Sequence, residues 1–443
     1  MATGSLTEFT RFGYGPAPGD RVEGTGVDPD RLLAQLSLPA PEREDGLADR
    51  LALLADQERE KQAMKAGGPK TDVAIKQLRQ RAAADVQAYL WDPVLSDAGF
   101  AERLVNFWAN RLTVAWRRGP VEFLMGPYRD EAIRPHIGGR FADMLAASAW
   151  HPAMMVYLDQ AASVGPNSPF GQKQRKGLNE NYAREFLELH TMGGVGYSQT
   201  DVTELARLFA GMRYDEEGAR FDSARSEPGE KIILGQTYLN GPDEIARLVE
   251  TVALRPETAE SVALALARHF IADVPPADLV AGLAAAYLAG GSDLRPVYQV
   301  LLSHPSAADP GRWKVRSPHE YLAASLRALG VTPDIAGGRK VKLALSEALR
   351  TMGQQPLRAP GPDGWPEMAE GWVTAPYLAA RLAWAETLAQ KLGEGALPAD
   401  LARFVLGDGT EGPEADTIRA ASRAEQRWEG VAVLLGAPVF QRR

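Results

Sequence analysis

Apolar residues recur at helical spacing along most of this chain, and that period limits the fold more than any single motif does. Asp72 to Leu90, DVAIKQLRQRAAADVQAYL, places Val73, Ile75, Leu78, Ala82, Val86 and Leu90 near an i, i+3, i+4 pattern with basic residues between them. It reads as a surface helix with one buried stripe. The stretches Phe100 to Ala115, Phe141 to Leu158, Ile245 to Leu254, Glu257 to Ile271, Pro276 to Leu288, Leu294 to Ser303, His319 to Leu329, Val341 to Met352 and Pro376 to Lys391 follow the same rule. The expected fold class is therefore mostly α, a multi-helix globular body. The exception is a short β-hairpin or extended excursion near 213–240, where Gly, Asp and Glu dominate and the run ends in the β-prone KIILGQTYLNG.

This pattern divides the chain into an N-terminal arm and first helix (1–40), a helical lobe (41–212), the irregular excursion (213–241) and a second helical lobe (242–443), together one compact unit. The arm is irregular to about Leu38, apart from a helical stretch from Asp30, and its RFGYGP reads as a turn. KQAMKAGGPK reads as an exposed linker. Gln355 to Trp372 holds PLRAPGPDGWPEMAEGW, whose prolines and glycines forbid a continuous helix. It is a long loop with apolar anchors, read either as a functional loop or as a segment packing Trp365 and Trp372 onto the core.

Composition removes several function classes. With 45% apolar and 24% charged residues the chain has the balance of a folded protein, and a net charge of -8 with no basic stripe argues against nucleic acid as a partner. There is no cysteine, hence no disulfide, thiolate metal site or cysteine nucleophile. No run approaches the roughly 18 apolar residues of a membrane span, and the start, MATGSLTEFTRFGYGP, lacks a signal-peptide pattern. The expected location is the cytoplasm as the chain stands, or the periplasm or exterior if a leader was removed. No GxSxG elbow, P-loop, HExxH or EF-hand loop is present, and GGVGYS follows a helix rather than a strand, which argues against a phosphate cradle. No cofactor is expected.

The densest polar stretch is Leu178 to Thr191, LNENYAREFLELHT. On a helical wheel Glu180, Asn181, Arg184, Glu185, Glu188 and Thr191 share an arc of roughly 140°, while Tyr182, Ala183, Phe186, Leu187, Leu189 and His190 fill the rest. Glu188 and His190 diverge and cannot chelate within the helix, whereas Glu185 and Glu188 share a face. Two readings compete: a solvated face with an Arg184–Glu188 pair and a core His190, or a polar cluster that does chemistry. Downstream, glycines end this helix and Thr200 or Asp201 caps the next, with Glu204 placed for a capping box if Asp201 is the cap. Upstream, His136, His151 and Asp159 lie in one region, although the chain has only six histidines.

NENYAREFLELHTMGGVGYSQTDVTELARLFAGM, together with RFGYGP, RLVNFWANRLTV, IRPHIGGRFADML, WHPAMMVYLDQAASVGPNS, ARHFIAD, KVRSPHEYLAASLRALG and GPDGWPE, resembles the bacterial domain of unknown function family 1800 over nearly the whole chain. The resemblance implies no settled activity. It implies an envelope or exported role in many relatives, which often carry leaders and are encoded beside a second secreted protein. This chain departs from the family pattern in two places: Arg111 follows Asn110 where relatives show a histidine, and Ser226 stands where many have another. His136, His151, His190 and His269 remain.

The function expected from the residues is a metal-independent acid–base enzyme acting on a glycan or peptide, a hydrolase in outline. Glu188 or Glu185 would serve as general acid or base, Arg184 and Asn181 would orient the substrate, and His151 would shuttle protons. Asn179, Asp159, His136 and Trp365 would line the substrate cleft, with no metal ligand. The alternatives are a non-catalytic scaffold for a partner protein, and a metal-dependent enzyme with histidine ligands from several helices.

Overall fold

The computed structural model describes residues 1–37, 39–117, 119–338 and 341–443; the expected end of the arm at Leu38 lies outside them. Helices dominate, as the period predicts. The stripe in 72–90 forms Val73–Leu95, which packs on Leu47–Lys65. KQAMKAGGPK stays helical through Lys65 and turns only at its glycines. The expected helix 141–158 is two, Phe141–Trp150 and Pro152–Tyr157. Pro152 is the cause: it pushes His151 into an extended conformation and, lacking an N–H, suits the first position of a new helix. Helix Gln199–Phe209 is capped by Ser198 rather than by Thr200 or Asp201. Asp201 stands three positions on and its carboxylate accepts the Ser198 N–H at 2.8 Å, so the box is Ser198–Asp201.

The excursion holds two antiparallel hairpins, Met212–Asp215 with Gly218–Phe221 and Lys231–Ile233 with Gln236–Tyr238. It does not separate the hydrophobic cores, because Met212, Ile233 and Tyr238 belong to the first of them. That first core runs from Phe12 to Ala307. The second gathers residues from Tyr321 to Phe440 around helices Pro318–Ala328, Ala375–Leu392 and Arg427–Gly436, and takes in Tyr14, Leu90, Trp91 and Val94. The arm thus gives Phe12 to one core and Tyr14 to the other. Among the described residues no helix is long and apolar enough to cross a membrane.

Candidate functional site

A cavity of about 120 Å³ lies on the seam between the two cores. Its walls come from segments far apart in sequence. Helix Gly99–Arg111 buries Phe100, Leu104, Phe107 and Trp108, and brings Asn106 and Asn110, close to one face at i and i+4, to the cavity wall. One turn before Asn106, Arg103 donates from Nε and Nη2 to the carbonyl of Gly13 at 3.1 and 2.7 Å, which holds the RFGYGP turn against the helix. Asn106 in turn donates to the Tyr14 hydroxyl at 2.6 Å, and burial pushes that phenol up to about 12.

The floor is a buried ion triad. Ser317 and Glu320 form the capping box of helix Pro318–Ala328, with Glu320 Oε2 accepting the Ser317 N–H at 2.9 Å. The same carboxylate pairs with Arg103 and, at 3.1 Å, with Arg443. Burial works against ionisation, but the two guanidiniums hold Glu320 well below the usual carboxylate range. Beside it His319 stacks on Tyr89 at 4.1 Å and donates from Nε2 to the Tyr89 carbonyl at 2.9 Å. Burial lowers its pKa to about 4, so it is neutral at pH 7.

The roof is the long loop 355–372, and it is pinned at several points. The Asn110 side chain accepts the Trp365 N–H at 2.7 Å and donates to the Trp365 carbonyl at 3.0 Å. Lys314 Nζ donates to the Glu367 carbonyl at 2.5 Å and pairs with Asp273, whose other oxygen accepts the Ala369 N–H at 2.9 Å. At Gly364 (φ +77°) a Cβ would sit 2.5 Å from the Asn110 carbonyl oxygen, so no other residue lets the loop approach so closely. Trp365 and Trp372 both line the cavity, and Trp372, itself buried, donates to the Pro366 carbonyl at 2.9 Å. The loop therefore combines both expected roles: it wraps the core and walls the cavity.

Between roof and floor, Glu367 Oε2 meets His269 Nδ1 at 2.8 Å. Burial lowers the histidine pKa despite the neighbouring carboxylate, so at pH 7 Nδ1 carries the proton and donates to Glu367. Burial also opposes the charge on Glu367, but His269 and Lys314 bring its pKa below the usual range. About 31% of the Glu367 side chain stays accessible, against 9% for His269. The pair is thus an ionised, reachable carboxylate backed by a buried imidazole whose Nε2 has no hydrogen-bond partner among the described residues.

The polar arc lies elsewhere. Asn181, Arg184, Glu185 and Glu188 are half-buried on the helix and do not line the cavity. Arg184 pairs with Glu180 at 3.5 Å rather than with Glu188, and Gln199 joins that pair. The α-helix ends at Glu185, and Phe186–Met192 continues with i to i+5 bonding. That change rotates the later side chains away from a 3.6-residue wheel. Thr191 is accordingly fully buried, against expectation, and its hydroxyl donates to the Phe186 carbonyl at 2.7 Å. Burial raises the Glu185 pKa, helped by Glu188 and Asp363. His190 is a core residue, as its apolar arc predicts, and burial takes it to about 3.

Of the other expected site residues, only Trp365 reaches the cavity. Asn179 Oδ1 accepts the Asn181 N–H at 2.9 Å in a local turn. His151 is buried against Tyr128, its Nδ1 accepts the Ala153 N–H at 3.1 Å, and burial lowers its pKa to about 3. It caps a helix. Asp159 is exposed with a left-handed backbone, and His136 is half-buried. No hydrogen bond or ion pair among the described residues joins these three to the polar arc. Among the described residues no set of three His, Asp or Glu side chains stands where it could hold a metal ion. Arg111 donates to the Thr191 carbonyl and to Ser261 Oγ at 2.8 Å, bracing the π-helical turn, and Ser226 is buried.

Tyr14, Asn106, Asn110, His269, Lys314, Glu320 and Glu367 all lie in the stretches on which the family resemblance rests: RFGYGP, RLVNFWANRLTV, ARHFIAD, KVRSPHEY and GPDGWPE. Residues 8–442 match the family described as Protein of unknown function (DUF1800). The chain belongs to that family. No curated protein and no solved structure matches it. The DUF1800 match covers both cores and the loop over the cavity. The signal for these residues is therefore a set of short polar motifs, scattered along the chain, that the fold brings to one place.

Proposed function

We propose that this DUF1800 protein is an acid–base enzyme working in the seam cavity, with Glu367 as its proton-transferring carboxylate. The observation that carries the reading is the accessible, ionised Glu367 held by His269 in a cavity where Glu320 is already paired with Arg103 and Arg443, a group that keeps one net positive charge. His269 fixes the orientation of the carboxylate and shares its proton load, so the two titrate as a pair. Lys314 and Arg443, on the cavity wall, favour negative charge developing on the reacting group.

Size limits what enters. A cavity near 120 Å³ is smaller than the roughly 150 Å³ that admits benzene. The substrate is a small polar molecule, or a glycan or peptide that presents one small group. The test is a screen of chromogenic glycosides, esters and peptides on the wild type, Glu367→Gln and His269→Asn. An activity that falls about 100-fold or more in Glu367→Gln, with the melting temperature little changed, supports the reading; an activity that survives Glu367→Gln sinks it.

One observation favours a second reading. The raised Glu185 carboxyl beside Glu188 is the setting of a general acid on the polar helix. It predicts that Glu185→Gln loses an activity that Glu367→Gln keeps. Saturable binding without turnover by any variant would favour the scaffold role instead.

A further inference from the structure

The second core carries a groove that the seam cavity does not use. It has a volume of about 660 Å³ and lies between helices Ala375–Leu392, Gly412–Ser422 and Arg427–Gly436. Its apolar lining includes Leu382 and Val433, which are 53% and 41% exposed, with the half-buried Trp428 beside them. Large aliphatic side chains grouped on one shallow, open surface mark an interaction site more often than the same residues scattered singly.

Charge selects the occupant. Glu386, Asp416 and Glu429 line the groove, and no Lys, Arg or His does. Their own contacts are superficial: Glu386 accepts from Gln390 at 3.1 Å, Asp416 pairs with an exposed Arg419, and Glu429 accepts the Gln426 N–H at 3.2 Å. A second copy related by a two-fold axis would lay these carboxylates against one another. An anionic lipid surface would meet the same repulsion. We propose that the groove docks an amphipathic helix of a partner protein whose apolar face is flanked by Lys or Arg. Leu382, Val433 and Trp428 receive the apolar face, and Glu386 and Glu429 pair with the basic flank beside the Asp416–Arg419 bridge.

The test measures fluorescence anisotropy of two labelled helical 16-residue peptides on the full chain, with the same leucine face and either lysine or glutamate on the polar face. The lysine peptide is expected to bind saturably, to weaken with salt, and to lose at least tenfold in affinity in Leu382→Asp/Val433→Asp and severalfold in Glu386→Lys. Both changes are at exposed positions, and circular dichroism checks that the fold is kept. Equal binding of the glutamate peptide, no saturable binding of the lysine peptide, or binding indifferent to the variants would each overturn the proposal. So would a wild-type dimer that Leu382→Asp/Val433→Asp dissociates, since the occupant would then be a second copy.

Discussion

The polar helix at 179–191 and the seam cavity hold similar kinds of group: carboxylate, guanidinium, amide and imidazole side chains. On the helix these groups are neighbours in sequence and half-exposed, and the pair that forms is the local Arg184–Glu180 bridge, with side chains 41% and 35% exposed. In the cavity they arrive from five separate segments, and Arg103, Glu320 and Arg443 are nearly sealed from water. Water screens the first set, so its members act almost independently. The second set cannot rely on water, so each member depends on the others. Density of polar residues in sequence therefore marks the wetter region, and dependence marks the built one.

Acid should have the largest effect, and it acts on buried rings in both regions. Burial holds the folded-state pKa of His190, on the polar helix, and of His151, at a helix cap, to about 3, and that of His319, in the cavity wall, to about 4. Each binds more protons unfolded than folded below its unfolded value near 6.5. The stability they contribute is complete above that pH and is lost as pH falls from about 6.5 toward 4 for His319 and toward 3 for His151 and His190. Glu320, depressed in the fold, adds in the same direction at lower pH. Urea midpoints at pH 7, 6 and 5 should fall steadily, and an unchanged midpoint would contradict the burial of these rings.

Next in size is the triad. Glu320→Ala strands two buried guanidiniums and should cost about 3–5 kcal/mol. Arg184→Ala should cost about 0.3–0.5 kcal/mol, and comparable losses on thermal unfolding would erase the contrast between the regions. Gly364→Ala is intermediate: a positive φ and the Asn110 contact predict about 1–3 kcal/mol. Gly194 also has a positive φ of +85°, but nothing lies near its Cβ position, so Gly194→Ala should lose about 1 kcal/mol or less. The smallest effect is Glu188→Gln, expected within about 0.5 kcal/mol and checked by the same melts.

Much of the fold was legible. The stripes over 245–254, 257–271, 276–288, 294–303 and 376–391 became helices with ends within a few residues of expectation. Three helices beyond residue 397 went unread, as did Leu47–Lys65, where only Arg50 and Leu51 are buried and no continuous stripe exists. Helix phase failed where bonding changed, at Thr191. Little of the candidate site was legible. Trp365 was singled out for its loop, but Glu367, two residues on, matters only because His269, 98 positions away, meets it.

The sequence by itself determined what local physics controls: the helical class, because a 3.6-residue period buries one stripe; the breaks at prolines; the burial of His190, whose neighbours on the wheel are apolar. It also fixed the family, through motifs that need no geometry to be recognised. Tertiary structure alone decided which polar groups lose their water. Lone carboxylates and guanidiniums read alike in a sequence, and only the docking of one core on the other makes Glu320 a buried counter-ion, His269 a neutral donor and Glu367 the carboxylate left within reach.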